Sequence, residues 1–215
     1  MTDDTDSIRA GYDAVARAYA DRFVSELHHK PLDRALLAWF AGLVAGQGPV
    51  ADVGCGPGQI TRHLHELGVD VFGVDLSPRM VEVARDLHQD REVAFRQGDL
   101  GALDLADSSL AGAVAFYAHV HVPEAGLARA FAELRRVLRP RAPALLAFHV
   151  GREVLHVDSF LGHTVDLDFH LFPMAAVLGA LREAGLEPDM HLERAPYVPH
   201  EHPSTRGYVL ARRRP

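Results

Sequence analysis

VADVGCGPG, residues 50–58, reads as a short apolar strand carrying one acid, Asp52, and then glycines at 54, 56 and 58. Glycine lets the chain bend sharply and lets a ligand reach main-chain N–H groups that a Cβ would shield. Apolar positions Ile60, Leu64 and Leu67 predict a helix directly after Gly58, stopping at Gly68. Open α/β sheets hold ligands at such a turn, where a strand ends and the positive end of a helix begins. The spacing is G-x-G-x-G with Pro57 in the gap, a poor match to the G-x-G-x-x-G turn of dinucleotide binding.

Working outward, the same alternation continues. Upstream, Ile8, Tyr12, Val15, Tyr19 and Phe23 share one helical face after a polar, frayed start at 1–7. A second helix opens at Pro31 and carries Leu32, Leu36, Trp39, Phe40 and Leu43. Downstream, strand two spans 70–74 and ends at Asp75, with Ser77 and Pro78 as cap and first turn of the next helix. Strands three, four and five fall near 93–97, 111–117 and 144–149, with a helix from Pro123 between the last two. The stretch 151–172 shows no clear period, a helix covers 174–184, and two strands lie near 189–194 and 207–211. Strands alternating with helices mean a parallel sheet with right-handed crossovers. The short, proline-bearing link 195–206 joins the last two strands antiparallel.

At 215 residues, 48% hydrophobic and 24% charged, the chain suits one soluble domain with a full core. A net charge of −7 argues against nucleic acid or an anionic membrane as the main partner, and the run Arg212–Arg214 reads as a solvated tail. The single cysteine, Cys55, excludes an internal disulfide and fits a reducing cytoplasm. No apolar stretch is long enough for a membrane helix, and the acidic start MTDDTDS is unlike a signal peptide.

Asp75 stands 21 residues beyond Gly54, where a carboxylate can accept hydrogen bonds from both hydroxyls of an adenosine ribose. The plainer alternative is an acid stabilised by the helix dipole, although Ser77 already occupies the cap. In order and well spaced, DVGCGPG, GVDLSPRM, QGDL and AVAFYAH resemble the motifs of class I S-adenosylmethionine-dependent methyltransferases. The resemblance covers about residues 8–150 well and 173–212 more loosely, and departs at Arg141, where many relatives carry a glycine pair. It implies a Rossmann-like seven-stranded sheet, order 3-2-1-4-5-7-6 with strand 7 antiparallel, helices on both faces and an N-terminal helical lid. Within one domain it divides the chain into lid 1–46, cofactor core 47–150, an insert 151–172 lining an acceptor pocket, and a C-terminal helix and strands, 173–215. The residues it assigns to S-adenosylmethionine are Tyr12, Tyr19, Asp52, Gly54, Cys55, Gly56, Asp75, Leu76, Met80, Asp99, Leu100 and Phe116. Among these Asp99 would hold the adenine amino group and the Leu100 N–H its ring, whereas a plainer reading makes Asp99 a turn aspartate. Tyr12 and Tyr19, seven apart on one helix face, are either core packing or a lid over the methionine end. Lys30 and Arg34 are read as solvated rather than paired with the cofactor carboxylate.

Fourteen histidines invite an acid–base role. His121, then His119 and His149, stand where a methyl acceptor would lie, each alternatively a hydrogen-bonded strand-end histidine. Neither H-E-x-x-H nor a histidine–cysteine cluster is present, so no metal is expected, and His200 and His202 are placed in an exposed loop. The implied activity is in-line methyl transfer to a small molecule by a monomer or homodimer. Two other readings stay open: an NAD(P)-dependent oxidoreductase, which shares Asp75 but wants the other glycine spacing, and a non-catalytic S-adenosylmethionine-binding protein.

Overall fold

The computed structural model describes residues 2–89 and 92–215, with side chains from residue 5. Helices α1 (Thr2–Phe23) and α2 (Pro31–Val44) precede strand β1 (Val50–Val53), with a 3₁₀ turn at Glu26–His29 between them. Then come α3 (Gln59–Glu66), β2 (Val71–Asp75), α4 (Pro78–Leu87), β3 (Ala94–Gln97) and β4 (Gly112–Phe116). Helix α5 (Leu127–Val137) and strand β5 (Pro143–Val150) follow, then β6 (Val154–Phe160) and β7 (His163–His170). Helix α6 (Met174–Glu183), β8 (Leu186–Arg194) and β9 (Thr205–Arg213) complete the chain.

The main sheet has seven strands in the order β3-β2-β1-β4-β5-β9-β8. Strands β1 to β5 pair in parallel, and β9 runs antiparallel to both β5 and β8. With β8 and β9 counted as the sixth and seventh strands, this is the order the family resemblance implies.

Period-two alternation sorts strand side chains between two apolar layers. Ala51, Val53, Ala113, Ala115, Ala144 and Leu146 face one layer with Phe131 and Leu134 of α5 and Val177 and Leu181 of α6. Val50, Val114, Phe116, Leu145 and Ala147 face the other with Leu37, Phe40 and Val44 of α2 and Ile60 and Leu64 of α3.

The structure departs from the sequence reading in four places. The stretch 151–172 is not irregular: β6 and β7 pair as a separate antiparallel hairpin whose tip, Leu161 and Gly162, has φ of 51° and 82°. Two positive φ values match the twist that a two-residue turn needs. The signal was present, since Val165, Leu167 and Phe169 alternate with Asp166 and Asp168. The start of the chain is helical from Thr2 rather than frayed; it is anchored on the hairpin, where Ser7 Oγ donates to the Asp166 carbonyl at 3.3 Å. Pro123 opens a 3₁₀ turn, Glu124–Gly126, and the helix proper begins at Leu127. The run Arg212–Arg214 is no free tail: Arg212 pairs with Asp189 at 2.5 Å, and Arg213 donates to Ser108 Oγ at 2.8 Å and to the Leu138 carbonyl. Arg141 itself adopts φ of 67°, so an arginine holds the left-handed turn before β5 that a glycine would take without strain.

Hairpin and α1 pack on each other across the carboxyl edge of the sheet. Val15, Ala16 and Ala20 of α1 bury against Val165 and Leu167 of β7 and Met80 and Val83 of α4. This third apolar cluster is a roof over the glycine turn.

Candidate active site

At the end of β1 the backbone turns through left-handed conformations at Gly54, Gly56 and Gly58, with φ of 73°, 51° and 85°. A Cβ at Gly54 would sit 2.5 Å from the Ala118 Cβ, and one at Gly58 would sit 2.6 Å from the Phe95 ring. Sequence and space both demand glycine there. Asp75, at the end of the neighbouring β2, accepts from the Gly56 N–H at 2.8 Å and the Ser77 N–H at 2.9 Å. Burial pushes its carboxyl up to about 6, against the downward pull of those two N–H bonds. Asp52 is buried on β1 and accepts from Thr61 Oγ1 at 2.6 Å; burial raises it to about 7. Asp99, just after β3, is exposed and accepts from the Gly101 N–H at 2.7 Å. Gly98 N donates to the Asp75 carbonyl at 2.9 Å, which ties the ends of β2 and β3 together. The glycine turn, Asp75 and Asp99 therefore follow one another along a single edge.

A cavity of about 280 Å³ opens beside this edge. Of the residues expected at a cofactor, Tyr12, Tyr19, Asp52, Gly54, Cys55, Gly56 and Phe116 line it. Asp75, Leu76, Asp99 and Leu100 continue the edge outside the cavity, and Met80 is packed in the cluster under α1. The far wall is apolar and comes largely from the hairpin: Leu155, Val157, Phe160, Phe169 and the following Leu171.

Tyr12 and Tyr19 lie edge to face, ring centres 6.1 Å apart, and Tyr19 meets Phe160 at 6.2 Å. Tyr12 Oη is 2.8 Å from His121 Nε2, and His121 Nδ1 is 2.6 Å from the Asp168 carbonyl. A carbonyl only accepts, so the network assigns the ring hydrogen to Nδ1, and Tyr12 donates to Nε2. Asp13, on the same helix, accepts from Ser77 Oγ at 2.5 Å and from the Arg79 N–H at 3.2 Å. Hydrogen bonds thus fasten α1 both to the hairpin side and to the start of α4.

The other end of the cavity is polar. Lys30 is buried and bonded to Glu26 at 2.6 Å, with Glu201 at 3.6 Å. Burial lowers its ammonium, but Glu26 and Tyr117 outweigh that and raise it. Its environment is the reverse of the solvated one expected. Glu201 is held by Arg194 at 2.6 Å and 2.9 Å and by the Tyr197 N–H at 2.7 Å. Burial opposes its charge, yet these donors with Arg206 and Lys30 hold it at about 2. Arg194 also reaches Asp33 at 2.8 Å, which accepts from Tyr208 Oη at 2.9 Å. His200 and His202 are exposed in the loop between β8 and β9, as expected, and that loop borders the cavity together with Glu201.

The three candidate bases are dispersed. His149 lines the cavity; burial and then Arg206 push it down to about 3. His121 sits behind Tyr12 with both ring nitrogens engaged, and burial lowers it to about 4. His119 does not line the cavity: it packs edge to face on Phe131 at 4.9 Å, and burial lowers it to about 4. Sequence reasoning missed Glu26, Tyr117, Arg206 and the hairpin aromatics. Tyr117 carried one usable signal, its place directly after β4, whereas Glu26 and Arg206 carried none, since only tertiary folding brings them together. Among the described residues no group of three His, Cys, Asp or Glu is placed to hold a metal ion, and no described helix is long and apolar enough to cross a membrane.

A family model described as a methyltransferase domain matches residues 50–141. Malonyl-(acyl-carrier protein) O-methyltransferase of Pectobacterium atrosepticum is 35% identical over 137 residues, 59% of this chain and 49% of that protein. The chain spans about half the length of the curated relatives it matches. Magnesium protoporphyrin IX methyltransferase from Synechocystis PCC 6803, solved with bound S-adenosylmethionine, has a TM-score of 0.72 at 21% identity, over 98% of this chain and 97% of that one. The cyclase SpnF has a TM-score of 0.76 at 18% identity, over 96% of this chain and 95% of its own. These two likenesses are likenesses of fold.

Proposed function

We propose, from the premise that residues 50–141 belong to the methyltransferase-domain family, that this chain transfers a methyl group from S-adenosylmethionine to a small molecule. The observation that carries the proposal is the continuous edge of glycine turn, Asp75 and Asp99 running into a roofed cavity. The groups on that edge suit the cofactor. Gly54 and Gly56 bare the backbone, Asp75 offers a carboxylate to ribose hydroxyls, and Asp99 with Leu100 offers an acceptor and an N–H for adenine. Tyr12 and Tyr19 present aromatic faces to a cationic sulfur. When bound, the sulfonium supplies an electrophilic methyl carbon. What remains for the protein is to exclude water and to hold the acceptor in line, and positioning of this kind is worth about 7–11 kcal/mol. Phe160, Phe169 and Leu171 exclude water, and His149 is the candidate histidine that touches an acceptor in the cavity.

A small-molecule acceptor accords with the enclosed cavity, and the net charge of −7 disfavours nucleic acid. The chain works in this reading as one domain, monomer or homodimer, with 1–46 and 151–172 covering the 47–150 core and 173–215 completing the sheet. A cytoplasmic site of action accords with the single free Cys55. The test is calorimetric titration with S-adenosylhomocysteine: micromolar binding that Asp75→Ala weakens sustains the proposal, and absence of binding overturns it. One second reading has its own support. The likeness to SpnF, whose name is that of a cyclase, shows that this fold does not fix the reaction. A binder without methyl transfer takes S-adenosylhomocysteine yet turns over no acceptor. The G-x-G-x-G turn continues to speak against a nicotinamide enzyme.

A further inference from the structure

We propose, resting on the methyl-transfer reading above, that the acceptor is an apolar small molecule presenting an oxyanion, carboxylate or phenolate, to Tyr117, His149 and Arg206 at the polar end of the cavity.

Hydrogen bonds remain to be made at the polar end of the cavity. Tyr117 Oη is buried and has no hydrogen-bond partner, and neither has Arg206 Nε. His149 Nδ1 lies 2.7 Å from Ser204 Oγ, which also receives Arg206 Nη1 at 2.6 Å. Ser204 Oγ has room to accept a second hydrogen or to give its own to Nδ1; we take the second arrangement, which leaves the hydrogen of a neutral imidazole on Nε2. In that arrangement Tyr117 and His149, both lining the cavity, carry donors with nothing to receive them, and Arg206 Nε has only Glu201 Oε1 at 3.8 Å. Buried polar groups are ordinarily satisfied, and exceptions point to a ligand.

The acids at the same end are already engaged. Glu26 accepts from Lys30 at 2.6 Å on one oxygen and from Gln59 Nε2 at 2.9 Å on the other. Both oxygens of Glu201 accept from Arg194. An ammonium entering here meets occupied carboxylates, whereas an oxygen meets open donors. The Lys30 ammonium and the Arg206 guanidinium stand 5.2 Å and 5.8 Å from the centre of the Tyr117 ring, with Glu26, Glu201 and Asp33 offsetting their charge. Two buried acceptor oxygens are also without a hydrogen-bond partner: Gln59 Oε1, on the first residue of α3 beside the glycine turn, and Asp33 Oδ1, in the network behind the polar end and outside the cavity lining.

Tyr117 is also held in place. Its φ of 58° is left-handed, a strained conformation for a tyrosine, and its N–H is fixed to the Ala147 carbonyl at 2.7 Å. Such strain persists only where surrounding structure enforces it, and such residues cluster at ligand sites. The apolar part of the acceptor is set by the opposite wall, Phe160, Phe169 and Leu171. His149 then acts as a hydrogen-bond donor that orients an oxygen, not as a proton acceptor.

The test uses the full chain saturated with S-adenosylhomocysteine, titrated with benzoate, benzamide and benzylamine and followed by ligand-observed NMR. Benzoate is expected to bind best, benzamide next and benzylamine about tenfold more weakly than benzoate. Tyr117→Phe, which keeps the ring and removes the donor, is expected to weaken benzoate about fivefold and leave benzylamine unchanged. His149→Leu gives the same selective loss and serves if Tyr117→Phe fails to fold. Benzylamine binding as well as benzoate, benzoate failing to bind at millimolar concentration, or variants that leave benzoate unaffected would each overturn the inference. Loss of S-adenosylhomocysteine binding in the unmodified protein is a different result, and it overturns the methyl-transfer reading instead.

Discussion

At the glycine turn, Gly54, Cys55 and Gly56 make the floor of the cavity, with one acid, Asp75, on the neighbouring strand just outside it. The polar end draws Lys30, Tyr117, His149, and Glu201 with Arg206 from four separate segments. The floor works through backbone: left-handed φ values, bared N–H groups, and a carboxylate that fixes the Gly56 N–H. Side chains do the work at the polar end, in a charge network with Arg194 and Asp33 behind it. Backbone devices constrain residue type at fixed spacing. A side-chain network constrains only the sum of its charges and hydrogen bonds, so its members can be contributed from anywhere in the chain. We take the floor to bind the constant partner of the reaction and the polar end to choose the variable one.

The largest expected effect breaks the floor alone. Asp75→Ala removes two charge-assisted bonds to ribose and should weaken S-adenosylhomocysteine by about 100-fold, or about 3 kcal/mol, read by calorimetry. Benzoate binding by the apo protein should change little, because Asp75 lies outside the cavity wall. Equal losses in both titrations would mean that the two regions are not separable.

Legibility followed the same division. A parallel α/β sheet was readable because a strand, a turn and a helix recur from residue 50 onward, whereas its strand order rested on the family resemblance; Asp75 was readable because a strand end fixes where an acid stands. The hairpin is legible in β7, where Val165, Leu167 and Phe169 alternate with Asp166 and Asp168, and less so in β6, whose register shifts between Val157 and Ser159. Lys30 was misplaced for a physical reason: a lysine is assumed solvated until its partners are known, and Glu26 and Glu201 lie 4 and 171 residues away. Of the histidines, only the folded structure could tell His149, in the cavity, from His119, against Phe131.

The second prediction separates a buried structural histidine from the site. His119 has its folded value lowered by burial to about 4, against about 6.5 in an unfolded chain. Below about 6.5 the unfolded state takes up the proton and the folded state refuses it, so His119 stabilises the fold above that pH, and its contribution is lost as pH falls towards 4. The full gap is worth about 3 kcal/mol. Asp52 and Asp75 act with the opposite sign: raised to about 7 and about 6, they hold protons that an unfolded chain releases above about 3.9, which partly offsets acid destabilisation. Unfolding curves of His119→Leu and the parent protein from pH 7 to pH 4.5 should therefore converge in favour of the variant as pH drops. Parallel curves would show that His119 reaches solvent.

Gly54→Ala should cost about 2 kcal/mol of stability, a fall of several degrees in Tm, because φ is 73° and the new Cβ meets Ala118 at 2.5 Å. Gly68 has φ of 82° but open space around it, so Gly68→Ala isolates the conformational part, about 1 kcal/mol. If the two cost the same, the close approach of β1 and the Ala118 segment is not what fixes the glycine turn.

Tyr12→Phe is the smallest and probes how floor and roof are joined. The change keeps the ring against Tyr19 and removes the one hydroxyl that α1 gives to His121 Nε2. The imidazole cannot recover by turning over, since Nδ1 is committed to the Asp168 carbonyl at the far end of β7. A buried acceptor left without its donor costs about 1 kcal/mol. That cost should appear as faster amide exchange in 163–170 and in α1, with S-adenosylhomocysteine weakened by no more than about fivefold. Were the loss as large as that of Asp75→Ala, Tyr12 would belong to the cofactor floor itself, and the division between a backbone-built floor and a side-chain-built remainder would fall.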